Sequence, residues 1–275
     1  MNKQTFLTLL ATFVLLFSFT FSCSAKGKDK AKHVVFIGLD GWGAYSLPKA
    51  DMPNVKKLME DGSYTLKKRS ALPSSSAINW ASMFMGAGPE LHGYTEWGSK
   101  TPELPSRVLN KNGIFPTVFQ LLRDARPEAE IGCLYEWEGI KYLVDTLSLN
   151  YHYHVADCNK TPKELGNMSS SYIKEKHPAL VAICFDGPDH TGHTEGHDTP
   201  AYYEKLKELD SYVGQIVQAV KDAGMLDDTI FILTSDHGGI DKGHGGKTMQ
   251  EMETAFIISG KNIKKGLRFD DVSMM

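Results

Sequence analysis

The chain has 275 residues, 41% of them hydrophobic and 23% charged, enough to bury a sizeable core as one large domain or two small ones. Its formal net charge of −3 is close to neutral and shows no basic block, so nothing argues for nucleic acid as an electrostatic partner.

Residues 1–25 stand apart. Lys3 is followed by an uncharged run from Phe6 to Phe21 and then by Ser-Cys-Ser-Ala, the basic, apolar and small-residue layout of a secretory signal. A lone membrane anchor is the alternative, but the run is short for a bilayer. Cleavage after Ala25 would release a soluble protein. Cleavage before Cys23 would leave a lipid-modified cysteine, as in bacterial lipoproteins, a pattern that Ser22 suits and Phe21 does not. The expectation is export, to a periplasm or as an outer-membrane lipoprotein, in the latter case with membrane attachment through lipidated Cys23. Residues 26–32 read as a charged linker and 33–275 as a single domain. Export implies an oxidising compartment, yet Cys133, Cys158 and Cys184 form an odd, scattered set, expected as buried free thiols rather than a disulfide framework.

Residues 33–39 are the first strand, apolar and β-branched, ending at Asp40-Gly41. A helix is expected over 54–61, then a strand over 64–72 with a charged, exposed middle. Residues 73–76 make a turn, 78–85 a short helix closed by Gly86, and 88–98 a loop rich in glycine and aromatics. Phe115, Val118, Phe119 and Leu122 give 115–124 an amphipathic helical spacing. Strands follow at 130–135, 180–185, 229–233 and 255–259. Helices are expected over 161–176, which opens with Pro at its first turn, and over 199–223, which stops at Gly224. His152 and His154 alternate with Tyr151 and Tyr153, as on a strand. The alternation of strands and helices predicts an α/β fold, a mostly parallel sheet sandwiched by helices.

Chemistry-bearing residues gather at strand ends. Asp40, Asp186 or Asp189, and Asp236 each follow an apolar strand, placing carboxylates on one rim of the sheet, where α/β proteins bind ligands. His237 adjoins Asp236, and a glycine-rich loop then carries His244. Asp189 and His193 are spaced by four in what reads as a loop, and Ser74, Ser75 and Ser76 sit at a strand-to-helix turn. Three carboxylates, three imidazoles and a hydroxyl suffice for two metal ions, and the mixed oxygen and nitrogen donors suit zinc.

These segments resemble the alkaline phosphatase superfamily, in its type I phosphodiesterase/nucleotide pyrophosphatase branch, over residues 33–266. Ile-Gly-Leu-Asp-Gly at 37–41 is similar to the family's opening strand and first ligand. Residues 73–79 resemble the nucleophile turn Pro-Thr-x-Thr-Phe-Pro-Asn, and alignment on Asn79 puts the nucleophile at Ser76. Residues 86–93 resemble the segment behind the site. Residues 188–193 (Pro-Asp-x-x-Gly-His) and 235–238 (Ser-Asp-His-Gly) are the most specific matches, and His244 lies in a short version of the last-ligand loop. The resemblance implies one alkaline phosphatase-like catalytic domain in which Asp40, Ser76, Asp236 and His237 hold one divalent ion, and Asp189, His193 and His244 the other. It implies a phosphoseryl intermediate on Ser76, with Asn79 donating to a phosphate oxygen, and a small-molecule phosphate ester as substrate.

Blander roles are expected elsewhere. Ser74 and Ser75 read as helix caps, His190 and His197 as loop-exposed, and His92 as a packing residue. Trp80, Trp97 and Trp137 read equally as pocket or core. No (Cys/Ser)-x-Pro-x-Arg sulfatase pattern occurs, and the nearest arginine before Ser76 is Arg69, which favours diesters over monoesters. The chain stops at Met275, where relatives continue into a further helix, so C-terminal truncation is also expected. Two other readings keep the same ligands: a phosphoryl or phosphoethanolamine transferase, and a non-catalytic metal-binding protein with a degenerate site.

Overall fold

The computed structural model describes residues 30–156 and 162–270. The expected signal at 1–25, with Cys23 and Ala25, most of the linker at 26–32, and Cys158 lie outside the described residues. Among the described residues, eight strands form one sheet in the order β4-β3-β5-β1-β6-β7-β2-β8. They are β1 (His33–Leu39), β2 (Gly62–Arg69), β3 (Ile131–Tyr135), β4 (Tyr151–His154), β5 (Leu180–Phe185), β6 (Thr229–Thr234), β7 (Glu253–Gly260) and β8 (Leu267–Arg268). Only β7 runs antiparallel to its neighbours β6 and β2; the other pairings are parallel. The α/β sandwich expected from the alternation is therefore the observed fold.

The helices are α1 (Pro53–Glu60), α2 (Ser76–Met85), α3 (Pro89–His92), α4 (Val118–Ala125), α5 (Pro162–Lys176), α6 (Gly187–Glu195), α7 (Pro200–Asp222) and α8 (Met249–Met252). Strand β1 explains the two-sided core. Val35, Ile37 and Leu39 join one hydrophobic cluster with residues of α1, α5 and α7, while Val34 and Phe36 pack against a second built on α2 and α4. The side chain of Thr199 accepts from Tyr202 N–H to cap α7, with Pro200 just inside, and Tyr202, Leu206, Leu209, Val213, Ile216 and Val220 form its buried stripe.

Three expectations need correction. Residues 187–195 form helix α6 rather than a loop. The middle of β2 is not uniformly exposed, because Lys68 is buried while Lys67 and Arg69 face solvent. His197 is buried rather than loop-exposed. Cys133 and Cys184 are buried free thiols. Among the described residues no helix is long and apolar enough to cross a membrane.

Candidate active site

Strand β1 lies between β5 and β6, so the residues that leave these three strands meet at one sheet edge. Asp40 follows β1. Strand β5 runs through Asp186 into α6, which carries Asp189 and His193 one turn apart on one face. Strand β6 gives way to Ser235, Asp236 and His237. Ser76 is the first residue of α2, after Ser75 at the N-cap position, whose side chain makes no capping bond.

The crossover is tightly bonded. Gly41 N–H donates to Asp236 Oδ1 at 3.2 Å, and Trp42 N–H to Ser235 Oγ at 2.9 Å. Ser235 Oγ donates to His237 O at 2.7 Å, and Ser70 Oγ to Asp236 O at 2.7 Å. Gly41 has φ +67, and a Cβ there would stand 2.7 Å from the Asp189 side chain, so glycine is what lets β1 approach α6 this closely.

Two groups of side chains result. Ser76 Oγ lies 3.1 Å from His237 Nε2 and 3.5 Å from Asp40 Oδ1. His237 Nε2 is 3.4 Å from Asp40 Oδ1 and 3.2 Å from Asp236 Oδ2. Beside them, Asp189 Oδ2 is 3.1 Å from His193 Nε2 and 3.7 Å from His244 Nε2. The His237 and His244 rings stack at 3.9 Å. Ligand atoms of Asp189, His193 and His244 lie within 4.8 Å of one another, and so do those of Asp40, Asp189 and His237. Asp189 thus touches both groups, while Asp186, the other carboxylate after β5, joins neither.

The electrostatics call for a cation. Burial, then the charges of Asp236, Asp189 and Asp186, push the Asp40 carboxyl well above its ordinary range, against the bond from Trp80. Burial and Asp189 push Asp236 up to about 7. Burial also acts to raise Asp189, but the bond from His193, the nearby His197 and the charges of His237 and His244 outweigh it and hold this carboxyl far below the usual range. His193 is raised to about 9 by its bond to Asp189. His244 is lowered to about 4 by burial and by His237, and His237 is lowered by burial.

The donor set fits metal ions. His237 Nδ1 lies 2.8 Å from Gly238 O, His193 Nδ1 2.9 Å from Lys242 O, and His244 Nδ1 3.1 Å from Ser74 O. Each carbonyl accepts a hydrogen bond from Nδ1–H and leaves Nε2 turned towards carboxylate oxygens, the orientation of imidazole ligands. Asp236 Oδ2 is buried with no hydrogen-bond partner, which a bound cation would answer.

Asn79 departs from its expected task. Fully buried, it accepts from Ala71 N–H at 2.7 Å and donates to Ala71 O, Pro73 O and Ser75 O at 3.2, 3.3 and 3.0 Å. Its amide thus bonds to the turn before Ser76. His92 is buried and bonded to Ser82 and Tyr94, in keeping with a packing role. Trp97, 67% exposed, lines with Ser75, His193 and His244 a cleft of about 320 Å³. Sequence reasoning missed three residues around the site: Trp80 as a donor to Asp40, Lys68 as a donor to Ser235 O, and His197 beside Asp189.

Comparison with known proteins gives the family and the fold. The sequence model of the type I phosphodiesterase/nucleotide pyrophosphatase family matches residues 34–256. The chain is 25% identical over 222 residues to the mouse bis(5'-adenosyl)-triphosphatase enpp4, a match that covers 76% of this chain and 48% of that protein. It is 29% identical over 122 residues to GPI ethanolamine phosphate transferase 3 of Schizosaccharomyces pombe, covering 44% of this chain and 13% of the transferase. The chain thus spans about half the length, or less, of the curated relatives it matches. In fold it is similar to murine ectonucleotide pyrophosphatase/phosphodiesterase 5, solved as an inactive form with AMP, at TM-score 0.71 and 14% identity over 90% of this chain and 92% of that one. A 2-O glycosaminoglycan sulfatase superposes with TM-score 0.67 and 13% identity over 87% and 68% of the two chains.

Proposed function

Because the chain belongs to the type I phosphodiesterase/nucleotide pyrophosphatase family, we propose that it is an exported hydrolase of small phosphoric esters that works through Ser76 and two divalent ions. The observation that carries this reading is the placement of Ser76 Oγ at a helix N-terminus, 3.1 Å from His237 Nε2 and 3.5 Å from Asp40 Oδ1, beside the Asp189, His193 and His244 group. Asp40, Asp236 and His237, with Ser76, would hold one ion, and Asp189, His193 and His244 the other. When bound, two such ions lower the pKa of a hydroxyl or water and neutralise phosphate charge. Zinc suits the mixed nitrogen and carboxylate donors.

The chain's own residues do the rest. Ser76 Oγ attacks phosphorus and the alcohol on the opposite side departs, leaving a phosphoseryl ester; a water then attacks that ester and restores the hydroxyl. The positive end of the α2 dipole favours an anion at Ser76. Asn79 fixes the turn that aims the hydroxyl. Diesters are the preferred substrates: Arg69, the nearest arginine before Ser76, is exposed and paired with Glu253 at 3.6 Å, so it is not committed to a second phosphate charge. The absence of a (Cys/Ser)-x-Pro-x-Arg pattern weighs against sulfate esters. Residues 33–275 would act as one catalytic domain, exported by the signal at 1–25 and either released after Ala25 or lipidated at Cys23.

A second reading, transfer of phosphoethanolamine or another phosphoryl group to an alcohol, draws on the match to the yeast transferase. It keeps every residue in place and replaces water by an acceptor hydroxyl.

Hydrolysis of bis-p-nitrophenyl phosphate and p-nitrophenyl phosphate, with zinc, after chelation and in Ser76→Ala, tests the proposal. Zinc-dependent turnover, faster on the diester and lost in Ser76→Ala, is expected. Turnover that survives Ser76→Ala would sink the nucleophile, and a folded, zinc-loaded protein inert on both esters would point to a metal carrier. Product recovered on ethanolamine instead of water would favour the transferase.

A further inference from the structure

His197 has no place in the ligand set above, yet the fold is shaped around it. Its side chain is fully buried and follows α6 directly. Nε2 lies 3.6 Å from Asp189 Oδ1, slightly longer than a hydrogen bond, and both atoms are buried without a hydrogen-bond partner. Two such orphans facing each other are costly in a protein interior. A hydrogen on Nε2 satisfies both.

The ring is held in place from several sides. A Cβ on Gly192 would stand 2.3 Å from His197 Nε2 and Cε1, and one on Gly239 2.2 Å from Nε2, so both positions are open only because they are glycine. The Tyr202 ring packs at 5.4 Å, and the His197 backbone N–H donates to Asp241 O at 2.6 Å; that bond already serves the oxygen, so Nδ1, 3.2 Å from it, does not need the single hydrogen of the neutral ring, which is free for Nε2. Among the described residues, His197 belongs to neither group of ligand atoms lying within 4.8 Å of one another. It therefore stands behind Asp189 rather than among the ligands. Asp189 divides its two oxygens accordingly: Oδ2 faces His193 and His244, and Oδ1 faces His197.

We propose that His197 is a positioning residue for Asp189, donating from Nε2–H to Oδ1 so that Oδ2 is presented towards His193 and His244. This rests on the metal-binding reading of those three residues. A carboxylate ligand that pivots freely about its Cβ–Cγ bond loses entropy on binding an ion; one oxygen anchored beforehand removes much of that loss, and such outer partners typically contribute 10–100-fold to metal affinity.

The test is zinc binding to the full-length protein, by competition with a chromophoric chelator, in wild type, His197→Phe and His197→Gln, with melting of each metal-free protein as the folding control. Phe refills the ring site without a donor, and Gln restores an N–H. His197→Phe is expected to bind one of two ions about 10–100-fold more weakly, with the other unchanged and with recovery in His197→Gln to within about a few fold. Nitrogen-15 shifts of the His197 ring in zinc-loaded wild type give a check that needs no substitution, and a proton on Nε2 is expected. A His197→Phe protein that melts like wild type and binds both ions with full affinity overturns the proposal. So does an Nε2 without a proton in the loaded protein, since a bare or metal-bound nitrogen cannot donate; this measurement decides if the Phe variant does not fold. Wild type that binds no zinc overturns the underlying metal reading, a result separate from both.

Discussion

Trp80 donates its indole N–H to Asp40 Oδ2 at 2.9 Å, and so joins the hydrophobic core to the candidate metal ligands. The indole is fully buried and stacks on Phe84 at 5.8 Å, fixed by packing before any ion arrives. Its bond is the influence that draws the raised Asp40 carboxyl back towards ionisation. The same carboxylate then has Oδ1 left for His237 and Ser76.

Trp80→Phe preserves the ring stack but strands Oδ2. The expected result is a loss of about 1–3 kcal/mol in stability from the orphaned acceptor and a zinc affinity weaker by about 10–100-fold at one site. Chelator competition and thermal denaturation measure the two effects separately. Unchanged affinity in a variant that has lost stability would confine Trp80 to packing.

Metal binding itself should release protons. In the metal-free protein Asp40 is raised by burial and neighbouring carboxylates, Asp236 stands at about 7 for the same reasons, and His193 at about 9 through Asp189. Asp236 and His193 hold protons at pH 6 that a ligand cannot keep, whereas Asp189 and His244 are already deprotonated at their ligating atoms. Calorimetric titration with zinc in buffers of different ionisation enthalpy should show release of on the order of two protons at pH 6. Release should shrink as pH rises through about 7 and again through about 9, with affinity climbing in step. Proton uptake, or release independent of pH, would contradict this ligand set.

How much of this was legible beforehand follows the physics. Strands β1, β5 and β6 are buried on both faces, so they read as apolar runs, and the acidic residue after each marked the sheet rim at once. Helix α6 was not visible because Gly187–Glu195 carries no apolar periodicity; Pro188 and Asp189 favour its first turn, and packing against α7 supplies the rest. Lys68 was misplaced for a local reason. A register shift between Thr65 and Lys68 breaks the strict alternation of β2 and turns a lysine inward between two exposed basic residues. His197 depends on the glycines at 192 and 239, distant in sequence from each other, and no one-dimensional pattern reports that. Asn79 was assigned by resemblance, which carries the residue but not the direction of its amide.

Trp97 offers an exposed aromatic face beside Ser75, His193 and His244. Trp97→Ala should raise KM for bis-p-nitrophenyl phosphate by about tenfold, the worth of one aromatic contact of roughly 1.4 kcal/mol, and leave kcat within about twofold. That split marks binding shared equally by ground state and transition state. A fall in kcat with unchanged KM would instead place the ring against the reacting phosphoryl group.

Lys68 gives the last prediction, and its sign follows from burial. The ammonium is enclosed in the core, donates to Ser235 O and sits 3.8 Å from Met83 Sδ. Burial lowers it from 10.5 to about 7, with the Asp236 charge acting in the opposite direction. Between those two values the unfolded chain holds a proton that the folded chain has released, so the contribution of Lys68 to stability rises with pH across that window and is at its most unfavourable below about 7. Lys68→Met keeps the unbranched shape without the charge. It leaves Ser235 O short of a donor, a cost of about 1–3 kcal/mol that does not vary with pH. The difference in unfolding free energy, wild type minus variant, should therefore grow by at least about 1 kcal/mol between pH 7 and pH 10. Urea denaturation at the two pH values with zinc in excess reads it directly, since ligand titration cancels in the difference. A constant difference would mean that the amine keeps its ordinary affinity for a proton inside the fold, and that Asp236 rather than burial governs it.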